Sequence, residues 1–191
     1  MSKRVLLAGI LGGVALFVWG GLSHTVLKLG DVGMHDLPQQ AAMVNAMKAA
    51  IPHSGFYVFP QMDTGKIAAA DENGPWGVLV YQPTGASSSM TRQLGKEFVL
   101  NIVQALIVAF LLSFAVGLTS YTSRVGYVVV LGVLVSLATN VEYWIWYGFP
   151  RNYTGGVMAD KFIGMLIVGL VVAAFVKTKT ASVTTMQGKA A

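Results

Sequence analysis

The chain has 191 residues, of which 54% are hydrophobic and 11% charged; it contains no cysteine and carries a formal net charge of +5. So apolar a composition with so little charge excludes an ordinary soluble domain and points to the membrane class. The missing cysteine excludes disulfides, thiolate metal sites and cysteine nucleophiles. The basic residues stand singly, mostly at the ends of apolar runs, so nucleic acid is not an expected partner.

The first apolar run, 5–22, follows Lys3 and Arg4 and can extend to Leu27. A secretory h-region has 7–15 residues, so this longer run reads as an uncleaved membrane helix in a first segment, 1–27. Residues 28–97 are too many for a passive connector and are expected to fold as an extracytoplasmic cap. Within it, Asp36 offers an N-cap with Gln39 as its capping-box partner. Leu37, Ala41, Val44, Met47 and Ile51 then fall at helical spacing, which predicts an amphipathic helix over 37–51 closed by Pro52. Two β-branched and aromatic runs, 55–59 and 77–81, predict short strands. Two strands and a helix are few for independent stability, so the cap is expected to rest on the bundle. Ser87, Ser88 and Ser89 predict a polar helical turn leading into the next span.

Three further runs of roughly bilayer length follow at 98–118, 125–147 and 157–176. The last starts with Asp160 and Lys161 in its first turn. The 177–191 tail is polar and expected to be mobile. The fold class is an all-α membrane protein: a four-transmembrane-helix bundle with a small α+β extracytoplasmic loop unit.

Lys3, Arg4, Arg124, Lys177, Lys179 and Lys189 fall on one side of such a bundle. Lys28, Arg92, Lys96, Arg151 and Lys161 fall on the other. The short Arg124 loop and the basic tails favour a multi-pass arrangement with both termini cytoplasmic. Tyr143, Trp144, Trp146, Tyr147 and Phe149 resemble an interfacial aromatic belt at the far end of the third helix.

Lipid gives helices no hydrophobic reason to associate, so small residues and polar bonds must hold them. Gly9, Gly13 and Gly20 share one face of the first helix. Gly132, Ser136 and Asn140 step by four along the third, and Gly164 lies four beyond Asp160 in the fourth. These are expected packing seams, the usual role of such patterns. Glu97, Asn101 and Gln104 share a face of the second helix, where interhelical hydrogen bonding is the plain reading.

With helices alternating in direction, His24, Glu97, Asn101, Asn140, Glu142 and Asp160 all fall in one leaflet, a candidate polar ligand site. Most have simple structural explanations: His24 an interfacial position, Glu97 a nearby cation, Asn140 a helix bridge, Asp160 a favourable macrodipole. Glu142 is harder to dismiss, since an unpaired carboxylate inside an apolar run costs a few kcal/mol. His24, Lys161 and Arg151 are its candidate partners. Asn140 and Glu142 are about 200° apart on an ideal helix, which argues against convergence of all six. His24, Glu142 and Asp160 are acceptable metal-ligand types, yet none has a recognised ligand spacing, so no metal or other cofactor is expected. The chain has no Walker A loop, nucleophile elbow, zincin motif or dinucleotide fingerprint, and nothing marks a catalytic residue.

The segments Val18-Trp19-Gly20-Gly21-Leu22-Ser23-His24, Tyr143-Trp144-Ile145-Trp146-Tyr147-Gly148-Phe149-Pro150 and Gly55-Phe56-Tyr57-Val58-Phe59-Pro60 resemble those of a family of uncharacterised bacterial inner-membrane proteins with four spans. The resemblance implies an inner-membrane setting and no activity. The leading expectation is a non-catalytic accessory or homo-oligomeric membrane component. The alternatives are a transporter or a small-ligand or lipid binder with its polar site around Glu142, and a membrane-embedded metal or redox enzyme.

Overall fold

The computed structural model describes residues 2–60, 74–83 and 89–178. The expectations for Ser87 and Ser88 and for the tail beyond residue 178 lie outside the described residues.

Among the described residues, four helical stretches are long and apolar enough to cross a membrane: Lys3–Thr25, Met90–Phe114, Tyr121–Tyr147 and Arg151–Phe175. A helix is the natural fold for such runs, because it satisfies its own backbone groups where water cannot. The first is α1 (Lys3–Thr25), the second α3 (Met90–Phe114) and the last α6 (Arg151–Phe175). The third is interrupted: α4 (Tyr121–Ser136) passes through a π-helical turn, Leu137–Val141, into α5 (Glu142–Tyr147). Serine hydroxyls cap three starts, with Ser2, Ser89 and Ser120 accepting from Val5, Arg92 and Ser123 backbone N–H groups. Gly148, at φ +67°, ends α5 in the left-handed conformation that glycine adopts without steric cost.

Two starts differ from the sequence reading in a way that matters. The second span begins at Met90, not Phe98, because a capped, polar first turn precedes the apolar run. Glu97 therefore sits well inside a helix. The last span begins at Arg151, not 157, so Asp160 occupies its third turn rather than its first. The helix dipole acts mainly within the terminal turn, so it no longer explains that acid. The second span also ends earlier, at Phe114 rather than residue 118.

α1 and α6 form the centre: α1 packs against α3 on one side and α6 on the other, and α4 packs on α6. Gly9 and Gly13 make the α1–α3 seam. A Cβ on Gly9 would lie 2.7 Å from the Leu106 Cα, and one on Gly13 2.5 Å from the Ile102 Cα. Gly164 admits Leu16 and Trp19 of α1, and Gly132 admits Met165 of α6. Gly20 does not join a seam: nothing lies within 4 Å of its missing side chain.

The apolar core comprises Val5, Ala8, Ala105, Val108, Ala109, Leu112, Val128, Val168, Val172 and Val176. All of these lie in the half of the bundle away from the 28–89 loop. Arg124 closes that far end, donating to the carbonyl oxygens of Ala173 (3.3 Å), Thr119 (2.9 Å) and Leu118 (3.4 Å). Toward the loop the buried side chains are polar instead: Ser23, Asn101, Ser136, Thr154 and Asp160.

In the loop, a 3-10 turn, Leu29–Asp31, packs on α6. Helix α2 (Gln40–Ala50) is preceded by Gln39 at φ +49° with no side-chain cap, so Asp36 does not start it and Leu37 and Ile51 lie outside it. None of its residues is buried. Strands β1 (Gly55–Phe59) and β2 (Gly77–Tyr81) pair antiparallel with Gly55 opposite Tyr81 and Tyr57 opposite Leu79. The pair docks on the end of α5, where Phe56 meets Tyr147 edge-on at 5.4 Å and Trp76 covers Gly148.

Candidate functional site

Where the core stops, α1, α3 and α6 leave a groove of about 590 Å³ facing the loop end of the bundle. Its size is that of a small-ligand site. Gly20 and Gly21 line it, and neither has a heavy atom within 4 Å of where a side chain would begin. Leu16, Phe17, Trp19, Leu94 and Met165 are its apolar lining. His24, Glu97, Asn101, Gln104, Asp160 and Lys161 are its polar lining.

Asp160 is held by α1. The Ser23 hydroxyl donates to its Oδ1, and the Trp19 indole N–H donates to its backbone carbonyl at 3.1 Å. The side chain is only 8% exposed. Among the described residues no cation lies within 4.0 Å of it, nor does any acid pair with Lys161. Adjacent residues on a helix diverge, so Lys161 does not neutralise its neighbour.

Asn101 is 4% exposed and its side chain makes no hydrogen bond among the described residues. Neither polar atom of its amide is fully enclosed, so the surface it retains includes both of them. An amide whose polar atoms reach a groove without a protein partner is a ready point for a ligand. His24 lies at the mouth, packed against Gly30, where a Cβ would collide with the imidazole.

The six polar residues expected in one leaflet therefore divide. His24, Glu97, Asn101 and Asp160 line one groove. Asn140 and Glu142 do not. Asn140 donates to the Ser136 carbonyl at 3.1 Å and the Ser136 hydroxyl at 3.2 Å, within its own helix. Glu142 is exposed on α5, and none of its expected partners pairs with it. Arg151 instead lies 5.7 Å from the centroid of Trp144. The third span stays outside the groove altogether, since the lining comes from α1, α3 and α6. Asp160 and Asn101 are the buried polar residues of that lining.

Ser136 and Gly132 border a second space of about 250 Å³ between α4 and α6, shared with Met158, Ala159 and Phe162. Its lining is almost wholly apolar. Among the described residues no three His, Asp or Glu side chains gather where they could hold a metal ion. Of the metal candidates, His24 and Asp160 share the groove, and Glu142 is outside it.

Sequence reasoning missed Ser23 and Trp19 as the residues that fix Asp160. Their spacing of four on α1 is a signal, but only a known α1–α6 contact gives it meaning. Comparison of the chain with protein-family models, curated proteins and solved structures found no match. Fold and groove together define the class: a multi-pass, four-helix membrane bundle with an amphiphilic groove set into one end.

Proposed function

We propose that this chain is a non-catalytic component of the bacterial inner membrane, with both termini cytoplasmic, that binds an amphiphile in the groove between α1, α3 and α6. The observation that carries the reading is Asn101: a residue only 4% exposed whose amide reaches the groove with no hydrogen-bond partner among the described residues, in a lining that also holds Asp160 and apolar side chains. Such a surface complements a molecule with a polar head and an apolar body. The short Arg124 loop and the basic ends support the orientation.

The packed core beyond the groove supports binding over passage, because a transporter needs a second opening. The small-residue faces give less support to self-association than their sequence suggests. Gly9, Gly13, Gly132 and Gly164 are covered by neighbours in the same chain. An accessory role with a membrane-protein partner retains one support, helix α2, which buries none of its residues and leaves even the apolar Val44 and Met47 only half-covered.

The test is native mass measurement of protein purified in mild detergent. The wild type is expected to retain a bound amphiphile, and Asn101→Leu to retain much less. A wild-type protein that carries none under conditions preserving its fold would sink the reading.

A further inference from the structure

The polar lining also indicates what the head of that amphiphile should be. We infer, resting on the amphiphile-binding reading, that the groove selects an amino-phospholipid of the bilayer, with Asp160 and Asn101 receiving its primary ammonium and Lys161 its phosphate.

Glu97 and Asp160 supply two acidic groups and Lys161 one basic group, so carboxylates outnumber ammonium groups in the lining. Asp160 is the deeper acid and lacks a cation within 4.0 Å among the described residues. A carboxylate buried among membrane helices is favoured when a counter-charge is supplied, and an incoming ammonium supplies it.

Hydrogen-bond geometry narrows the choice. The Ser23 hydroxyl occupies one Asp160 oxygen, Oδ1, and leaves the other free to accept. Asn101 offers a carbonyl oxygen on the same groove. A primary ammonium has three N–H donors to share between them, whereas a quaternary ammonium has none. Lys161, unpaired by any acid among the described residues, then meets the neighbouring phosphate. A purely anionic head would engage Lys161 but face Glu97 and leave Asp160 without its cation.

Shape agrees. The cavity has the volume of a small-ligand site, enough for a headgroup and not for two long chains. The exposed Val18 and Leu22 of α1 offer an apolar surface along which the chains can remain in the bilayer.

The test uses the full chain in nanodiscs that hold equimolar phosphatidylethanolamine, phosphatidylcholine and phosphatidylglycerol with identical chains, read by native mass spectrometry. The ethanolamine lipid is expected to be retained over the choline lipid by about tenfold, the scale of one hydrogen bond to a charged group. Asp160→Asn, which can still accept from Ser23, is expected to bring that ratio toward parity while lipid remains bound. Lys161→Gln is expected to weaken both lipids and leave their ratio unchanged. Asn101→Leu provides a second reading of the ratio if the Asp160 variant folds poorly. Equal retention of choline lipid, a preference for the glycerol lipid, or a ratio untouched by both Asp160→Asn and Asn101→Leu would overturn this inference and leave the amphiphile-binding reading in place. No adduct with any of the three lipids, but capture of an added long-chain primary amine, would overturn the lipid source alone. No adduct of any kind would overturn both.

Discussion

The Ser23 hydroxyl donates to the Asp160 carboxylate across the α1–α6 interface, and Trp19, one turn earlier on α1, donates to the Asp160 backbone carbonyl at 3.1 Å. Two side chains of one helix thus fix one residue of another. Gly164, a turn further along α6, makes this approach possible by admitting Leu16 and Trp19. The bundle's central contact and the groove's deepest acid are therefore one arrangement.

Removing the hydroxyl should loosen it. Ser23→Ala is expected to lower stability by about 1 kcal/mol, within the range for interhelical hydrogen bonds in membranes. Thermal unfolding in a fixed detergent reads the effect. An unchanged transition would show that the pair does not hold the helices.

The glycines should separate by position. Gly13→Leu forces a side chain into the Ile102 backbone and is expected to cost about 1–3 kcal/mol, as overpacked sites do. Gly20→Ala meets nothing within 4 Å and is expected to leave the transition unmoved. Equal sensitivity at the two positions would contradict the α1–α3 seam.

Arg124 is a structural cation. It is 8% exposed and bonds three carbonyl oxygens, one of them at the C-terminal end of α6, where positive charge is favoured. Arg124→Ala is expected to cost about 1–3 kcal/mol and to expose the 115–120 connection to protease, with ligand retention in the distant groove preserved. Protease resistance equal to wild type would refute that role.

Glu142 is expected to be dispensable for the groove. Glu142→Gln should keep both stability and amphiphile retention near wild type, because the residue is exposed on α5 and outside the groove lining. Loss of retention in this variant would return the site to the third span.

These outcomes follow from features the sequence shows unequally. The spans are legible because runs of apolar residues near bilayer length have few other uses. Gly9 and Gly13 are legible as a seam because backbone approach needs the absence of a Cβ. Strand ends at Gly55–Phe59 and Gly77–Tyr81 are legible from β-branched and aromatic runs between turn residues. The groove is not, for two reasons. The polar turns at Met90 and Arg151 extend helices past their apolar runs, so Glu97 and Asp160 sit deeper along them than hydropathy implies. Nothing in the spacing of the third span shows that it stays out of the groove, which α1, α3 and α6 line. Nor does spacing reveal which glycines of one helix face close on a neighbour: Gly13 is a contact, and Gly20 is open space.

The central claim is that the α1–α3–α6 groove holds an amphiphile, and Gly20→Trp tests it most directly. The position lines the groove and has room, so the bundle is expected to fold with its usual thermal transition. The measurement is the amount of amphiphile that co-purifies with this variant, by native mass spectrometry, against wild type. The bound mass is expected to disappear while the fold persists. A folded Gly20→Trp protein that keeps its ligand at the wild-type level would contradict it.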